Sequence, residues 1–106
     1  MIAPDDVRAL ALELPGAIEQ DHHGRPSFRV RGTIFSTLWS PGQLNVMLDE
    51  DLIRAAVTTY PQACSLRFWG TRLAAVQVDL AQADPELVRD LLQAAWSRRT
   101  EGSQEP

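Results

Sequence analysis

Arg29, Arg31, Arg67, Trp69 and Arg72 are the residues of this chain whose types and spacing could do chemistry. A guanidinium fork grips a phosphate or carboxylate through paired N–H groups, and a ring beside it offers a flat apolar surface on which a base or aromatic ligand can stack. Arg29 and Arg31 lie in the run Arg25-Pro-Ser-Phe-Arg-Val-Arg-Gly-Thr-Ile-Phe-Ser-Thr-Leu-Trp39, whose alternation specifies a β-hairpin with arginines along one face. Gly32-Thr33 reads as a two-residue turn with Gly first, as a type II′ hairpin requires, so Val30 is expected opposite Phe35, Arg29 opposite Ser36 and Phe28 opposite Thr37. Phe28, Val30 and Phe35 then face a core, while Ser27, Arg29 and Arg31 face away. With Ser40 opposite Gln43 across Pro41-Gly42, the register carries Thr37, Trp39, Leu44, Val46 and Leu48 to the core side. It gathers Ser36 and Asn45, with Ile34, Leu38 and Met47, on the arginine side.

A second hairpin spans Leu66 to Leu80, and its last strand must bury Val76, Val78 and Leu80 while Gln77 and Asp79 are exposed. A two-residue turn at Gly70-Thr71 pairs Trp69 with Arg72 and puts Arg67 and Trp69 on the buried side, which costs several kcal/mol for an unpaired arginine. A three-residue loop or a bulge pairs Trp69 with Leu73, buries Cys64, Leu66 and Phe68, and places Arg67 and Trp69 on the open face beside Arg29 and Arg31. The second arrangement is favoured because it avoids burying Arg67.

The remaining polar residues offer less. His22-His23 are adjacent, so in an extended chain they point oppositely and do not share a metal, and Asp21 or Cys64 adds no recognised ligand spacing. Cys64 falls at a buried strand position, where free cysteines are packed rather than used as nucleophiles. The glycines form no phosphate-cradling motif. No cofactor, no metal and no enzymatic activity are expected.

The elements that must position the arginines follow from helix and strand signals. Ala3 to Leu14 reads as a helix with Pro4 at its first position, Asp5 and Asp6 at its positive end and Pro15-Gly16 stopping it. Three or four antiparallel strands follow from Gly16 to Leu48, with an extra short strand before Ser27 as an option. Asp49 to Tyr60 reads as the second helix, Cys64 to Leu80 as a hairpin, and a third helix opens at Asp84, its N-cap, with Pro85 next. The order α-β-β-β-α-β-β-α implies an α+β fold in two layers, an antiparallel sheet with its helices on one face.

At 106 residues the chain is expected to be one domain over residues 1–99, with a disordered tail over 100–106. The single cysteine, the lack of a signal-like apolar run and of any membrane-spanning stretch point to a cytoplasmic location without a membrane partner. Ten basic against fourteen acidic residues give a formal net charge of −4, which repels polyanions at long range. All ten basic residues are arginine, a bias that a GC-rich genome explains before phosphate recognition does.

Ala3-Pro-Asp-Asp-Val-Arg-Ala-Leu-Ala-Leu-Glu-Leu-Pro-Gly16, then Gly24-Arg-Pro-Ser-Phe-Arg-Val-Arg-Gly-Thr-Ile-Phe35, and finally Asp84-Pro-Glu-Leu-Val-Arg-Asp-Leu-Leu-Gln-Ala-Ala-Trp96 resemble the MmcQ/YjbR family of small bacterial proteins. The resemblance covers nearly the whole chain to about Arg99. It implies a two-layer α+β domain, related to frataxin-like or secretion-chaperone-like folds, with a predicted DNA-binding role. Two readings follow. One is a non-catalytic module whose open sheet face contacts DNA through Arg29, Arg31, Arg67, Arg72 and Trp69. The other is a module for an anionic or aromatic small molecule, or for a protein, including a second copy of the chain. A concave, partly apolar face favours the latter, and a flat, uniformly basic face the former.

Overall fold

Pro4 occupies the first position of α1 (Pro4–Leu12), where its missing N–H leaves nothing unsatisfied, and Asp5 and Asp6 fill the first turn. In the computed structural model, which describes residues 1–102, four strands follow: β1 (Ile18–His22), β2 (Arg25–Val30), β3 (Thr33–Ser40) and β4 (Gln43–Val46). Helix α2 (Glu50–Thr59), strands β5 (Cys64–Trp69) and β6 (Arg72–Asp79) and helix α3 (Pro85–Gly102) complete the chain. Asp49 caps α2 by accepting from the Leu52 N–H at 2.9 Å, and Asp84 caps α3 by accepting from Leu87 at 2.9 Å. The optional strand before Ser27 exists as β1, and the sheet is antiparallel with the order β1-β2-β3-β4-β6-β5.

One face of the sheet carries all three helices. Val7 and Ala11 of α1, Ile53 and Ala56 of α2 and Val88, Leu92 and Ala95 of α3 pack against Phe28, Phe35, Leu44, Val46, Val76 and Val78. The α+β, two-layer reading therefore holds. Among the described residues, no helix is long and apolar enough to cross a membrane.

The first hairpin turns one residue earlier than expected. Val30 pairs with Thr33, so the turn is Arg31-Gly32, with φ of 54° and 78°. Positive φ at both central residues is the type I′ pattern, whose twist matches the flanking strands, and glycine takes the second place at no steric cost. His23-Gly24, between β1 and β2, repeats the pattern with φ of 55° and 83°.

The larger correction lies in β3. Arg29 pairs with Ile34 but Phe28 pairs with Ser36, so Phe35 is the extra residue of a bulge. Beyond it the faces are exchanged: Leu38 pairs with Leu44 and is buried in the core, whereas Thr37 pairs with Asn45 on the open face. A second irregularity precedes Ser40, which pairs with Gln43 as expected. In the second hairpin the turn is the two-residue Gly70-Thr71 with Trp69 opposite Arg72, yet a register shift restores Leu66 opposite Val76 and Arg67 opposite Ala75. The expected faces of Arg67 and Trp69 survive through that bulge. Phe68, expected in the core, is exposed, opposite Leu73 beyond the bulge.

Helix α3 runs beyond the expected boundary at Arg99. Thr100 is helical and buried, its Oγ1 donating to the Trp96 carbonyl at 3.0 Å, and residues 103–106 of the expected tail lie outside the described residues. The exchanged faces of β3 are checked by Leu38→Ala. Unfolding in urea should show a loss of about 2–5 kcal/mol, as for a buried leucine. A loss below about 1 kcal/mol would return Leu38 to the open face.

Candidate ligand-binding site

The face opposite the helices is concave. Arg67 on β5 lies with its guanidinium 4.8 Å from the centre of the Trp39 ring on β3, although β4 and β6 run between them. The hollow encloses a recess of about 560 Å³ lined by residues of β1 to β5 and by Arg99 of α3. That volume falls within the range of small-molecule sites, about 300–1,000 Å³.

Thr37 and Asn45 line its floor, and they belong to a row of uncharged hydrogen-bonding side chains that crosses the sheet, one from each strand. Gln20 pairs with Ser27, Ser27 with Thr37, Thr37 with Asn45, Asn45 with Gln77 and Gln77 with Ser65. Ser27, Thr37 and Asn45 in the middle of the row are buried, although no helix covers them. Ile34 and Met47 add apolar surface beside the row.

Cations stand around this floor. Arg29 is held by its Nε, which donates to Ser27 Oγ at 3.2 Å, while Ser27 donates to the Gln20 carbonyl at 2.8 Å. Arg99 is held in the same manner, its Nε donating to the Ile34 carbonyl at 3.1 Å. Each arginine thus spends one N–H on its own position, and among the described residues the Nη groups of both make no hydrogen bond. Burial first, then the charges of Arg98 and Arg72, hold the Arg99 guanidinium below its ordinary pKa. Arg25 stacks on Trp39 at 3.6 Å. Among the described residues the lining has three arginines and two histidines and no carboxylate, so an acidic protein carries a locally positive hollow.

The sequence-predicted residues divide. Arg29 and Trp69 line the recess, and Arg67 backs its wall through Trp39, its buried Nε having no partner. Arg72 stands at the rim, 5.8 Å from the Trp69 ring. Arg31 is elsewhere: in the turn, with its Nη1 donating to the Thr100 carbonyl at 3.1 Å, it ties the hairpin to the negative end of α3.

Arg25, Trp39, Asn45, His22, His23 and Arg99 were missing from that set. Arg25 shares the parity of Arg29 and was legible; Trp39 was hidden by the bulge, and Arg99 comes from a helix distant in sequence.

Residues 12–98 match the YjbR family model. The chain belongs to the YjbR family. A crystal structure of Deinococcus radiodurans protein DR2400, with a domain of the family model DUF419, superposes with a TM-score of 0.78 at 20% identity, covering 95% of this chain and 80% of that one. That likeness is one of fold. Comparison with curated proteins gives no match.

Cys64 takes no part in the recess. It pairs with Val78 on the helix side of the sheet, and burial pushes its thiol pKa up. The folded chain holds this proton more tightly than the unfolded chain, so the site should subtract stability as pH rises through the ordinary thiol range, about 8.5. A maleimide should accordingly label the native chain no faster than it opens, which stopped-flow alkylation with and without denaturant measures. The stacked pair in the recess is tested by a double-mutant cycle. Arg25→Ala and Trp39→Ala, alone and combined, should give a coupling of about 0.5–2 kcal/mol in unfolding free energy.

Proposed function

We propose that this protein is a non-catalytic binding module for a small anionic ligand with a flat apolar part, seated in the recess of the open sheet face. The observation that carries the reading is the pairing of anchored arginines with an apolar wall in a recess whose lining, among the described residues, has no carboxylate. Arg29 and Arg99 supply the anion grip. Trp69, 43% exposed, supplies a ring, while Ile34 and Met47 supply apolar contact. Arg25 and Arg67 are engaged with Trp39 and reinforce the positive field. A group of at least three His, Cys, Asp or Glu side chains able to hold a metal is absent among the described residues, and Cys64 lies across the sheet from the histidines.

The DNA reading takes second place on shape. A recess of ligand size admits a nucleotide, whereas reading a duplex requires an element that enters a groove about 12 Å wide. The two readings part in one experiment. Thermal shift and calorimetry of the whole chain with phenyl phosphate, nucleoside monophosphates and a duplex should give saturable binding of the small anions, with Arg29→Gln/Arg99→Gln abolishing it. At a hundredfold excess over Kd the stabilisation expected is about 2.7 kcal/mol. Duplex binding alone, with log affinity falling against log salt by about 0.9 per phosphate contacted, would instead make this a DNA-binding face.

A further inference from the structure

Asn45 is 1% exposed, lines the recess, and has no hydrogen-bond partner for its Oδ1. Its backbone carbonyl accepts from Ser36 Oγ at 2.9 Å, and its side-chain Oδ1 is the group left over. A buried acceptor without a partner is destabilising, and native structures keep few of them. Its cross-strand neighbours do not relieve it: Thr37 on β3 and Gln77 on β6 stand opposite it, and neither gives its Oδ1 a partner. An asparagine amide presents an acceptor beside a donor, the pattern that matches a ring edge bearing an N–H or NH₂ next to a ring nitrogen or carbonyl.

We infer that the recess is selective for a nucleotide-like ligand, a phosphate joined to a heteroaromatic ring whose donor and acceptor edge pairs with Asn45. This rests on the proposed anion-binding function and adds the class of its ligand. The phosphate is gripped by the Nη groups of Arg29 and Arg99, whose mutual surroundings are cationic and gain by receiving an anion. The ring lies over Ile34 and Met47 with Trp69 at its side, and its polar edge meets Asn45 once the amide, whose Oδ1 is covered in the free chain, turns toward the recess. A phosphate on a plain phenyl ring would leave Asn45 unpaired and bind less well.

The experiment is a calorimetric comparison of adenosine, cytidine, guanosine and uridine monophosphates with phenyl phosphate on the wild-type chain, repeated on Asn45→Leu. The wild type should prefer at least one nucleotide over phenyl phosphate by about 5- to 150-fold, the worth of satisfying a buried polar group. Asn45→Leu, which removes an unpaired polar atom at similar volume, should keep or raise the melting temperature and lose that preference. Equal affinity of the wild type for phenyl phosphate and every nucleotide would overturn the inference while leaving the anion site standing, and needs no variant to read. A melting temperature lowered by several degrees in Asn45→Leu would also overturn it, since the amide would then be paired within the fold. Absence of binding to all five anions would remove the underlying anion site itself.

Discussion

Phe35 and Leu38 stand three positions apart on β3 and are both packed into the core. Residues at that spacing in an unbroken strand face opposite sides of the sheet, because side chains alternate with a period of two. Burying both is worth about 1.5–3 kcal/mol for each side chain. The chain meets this constraint with a bulge at Phe35, and the rest of the open face depends on it. Thr37 joins the polar floor and Trp39 joins the wall because Leu38 has turned inward. Without the bulge, Leu38 would sit beside Arg29 and the arginine stack on Trp39 could not form.

The same fold separates charge. Many of the carboxylates lie at helix starts, where Asp5, Asp6, Glu50, Asp51 and Glu86 favour the positive end of each helix. Glu19 pairs with Arg8 of α1 at 2.7 Å on the helix side. The hollow on the other side keeps arginines without acidic partners, so a chain of net charge −4 can present a positive field to a ligand that enters it. A narrow concavity concentrates such a field more than a flat surface of the same charge.

The tryptophans divide the work of the hollow. Trp39 is clasped by Arg25 and Arg67 and serves as a rigid post for their guanidinium groups. Trp69, at the end of β5 beside the hairpin turn, keeps an exposed ring. Trp96 does neither: its Nε1 donates to the Pro15 carbonyl at 2.8 Å and fastens α3 to the end of α1. That fastening brings the far end of α3, with Arg99 and Thr100, against the β2-β3 hairpin.

Local chemistry in the sequence determined the helices, the cap at Asp84, the antiparallel hairpins and the two-layer class, because caps, turn residues and periodicity act over a few residues. It also favoured Arg29, Arg67 and Trp69 sharing the open face over the alternative turn, since burying Arg67 beside Val76 is costly, although the bulge between Arg67 and Phe68, and not a longer loop, is what places them there. The tertiary structure alone decided the rest of the recess. Which residue of a strand becomes a bulge depends on what the opposing helices leave to be filled, so Phe35 and Leu38 could be assigned to the same face only once the core existed. Arg99 entered the site and Arg31 left it for a related reason. The end of a helix and the turn of a distant hairpin meet only when the whole sheet has curved around them, and no pattern within either segment encodes that meeting.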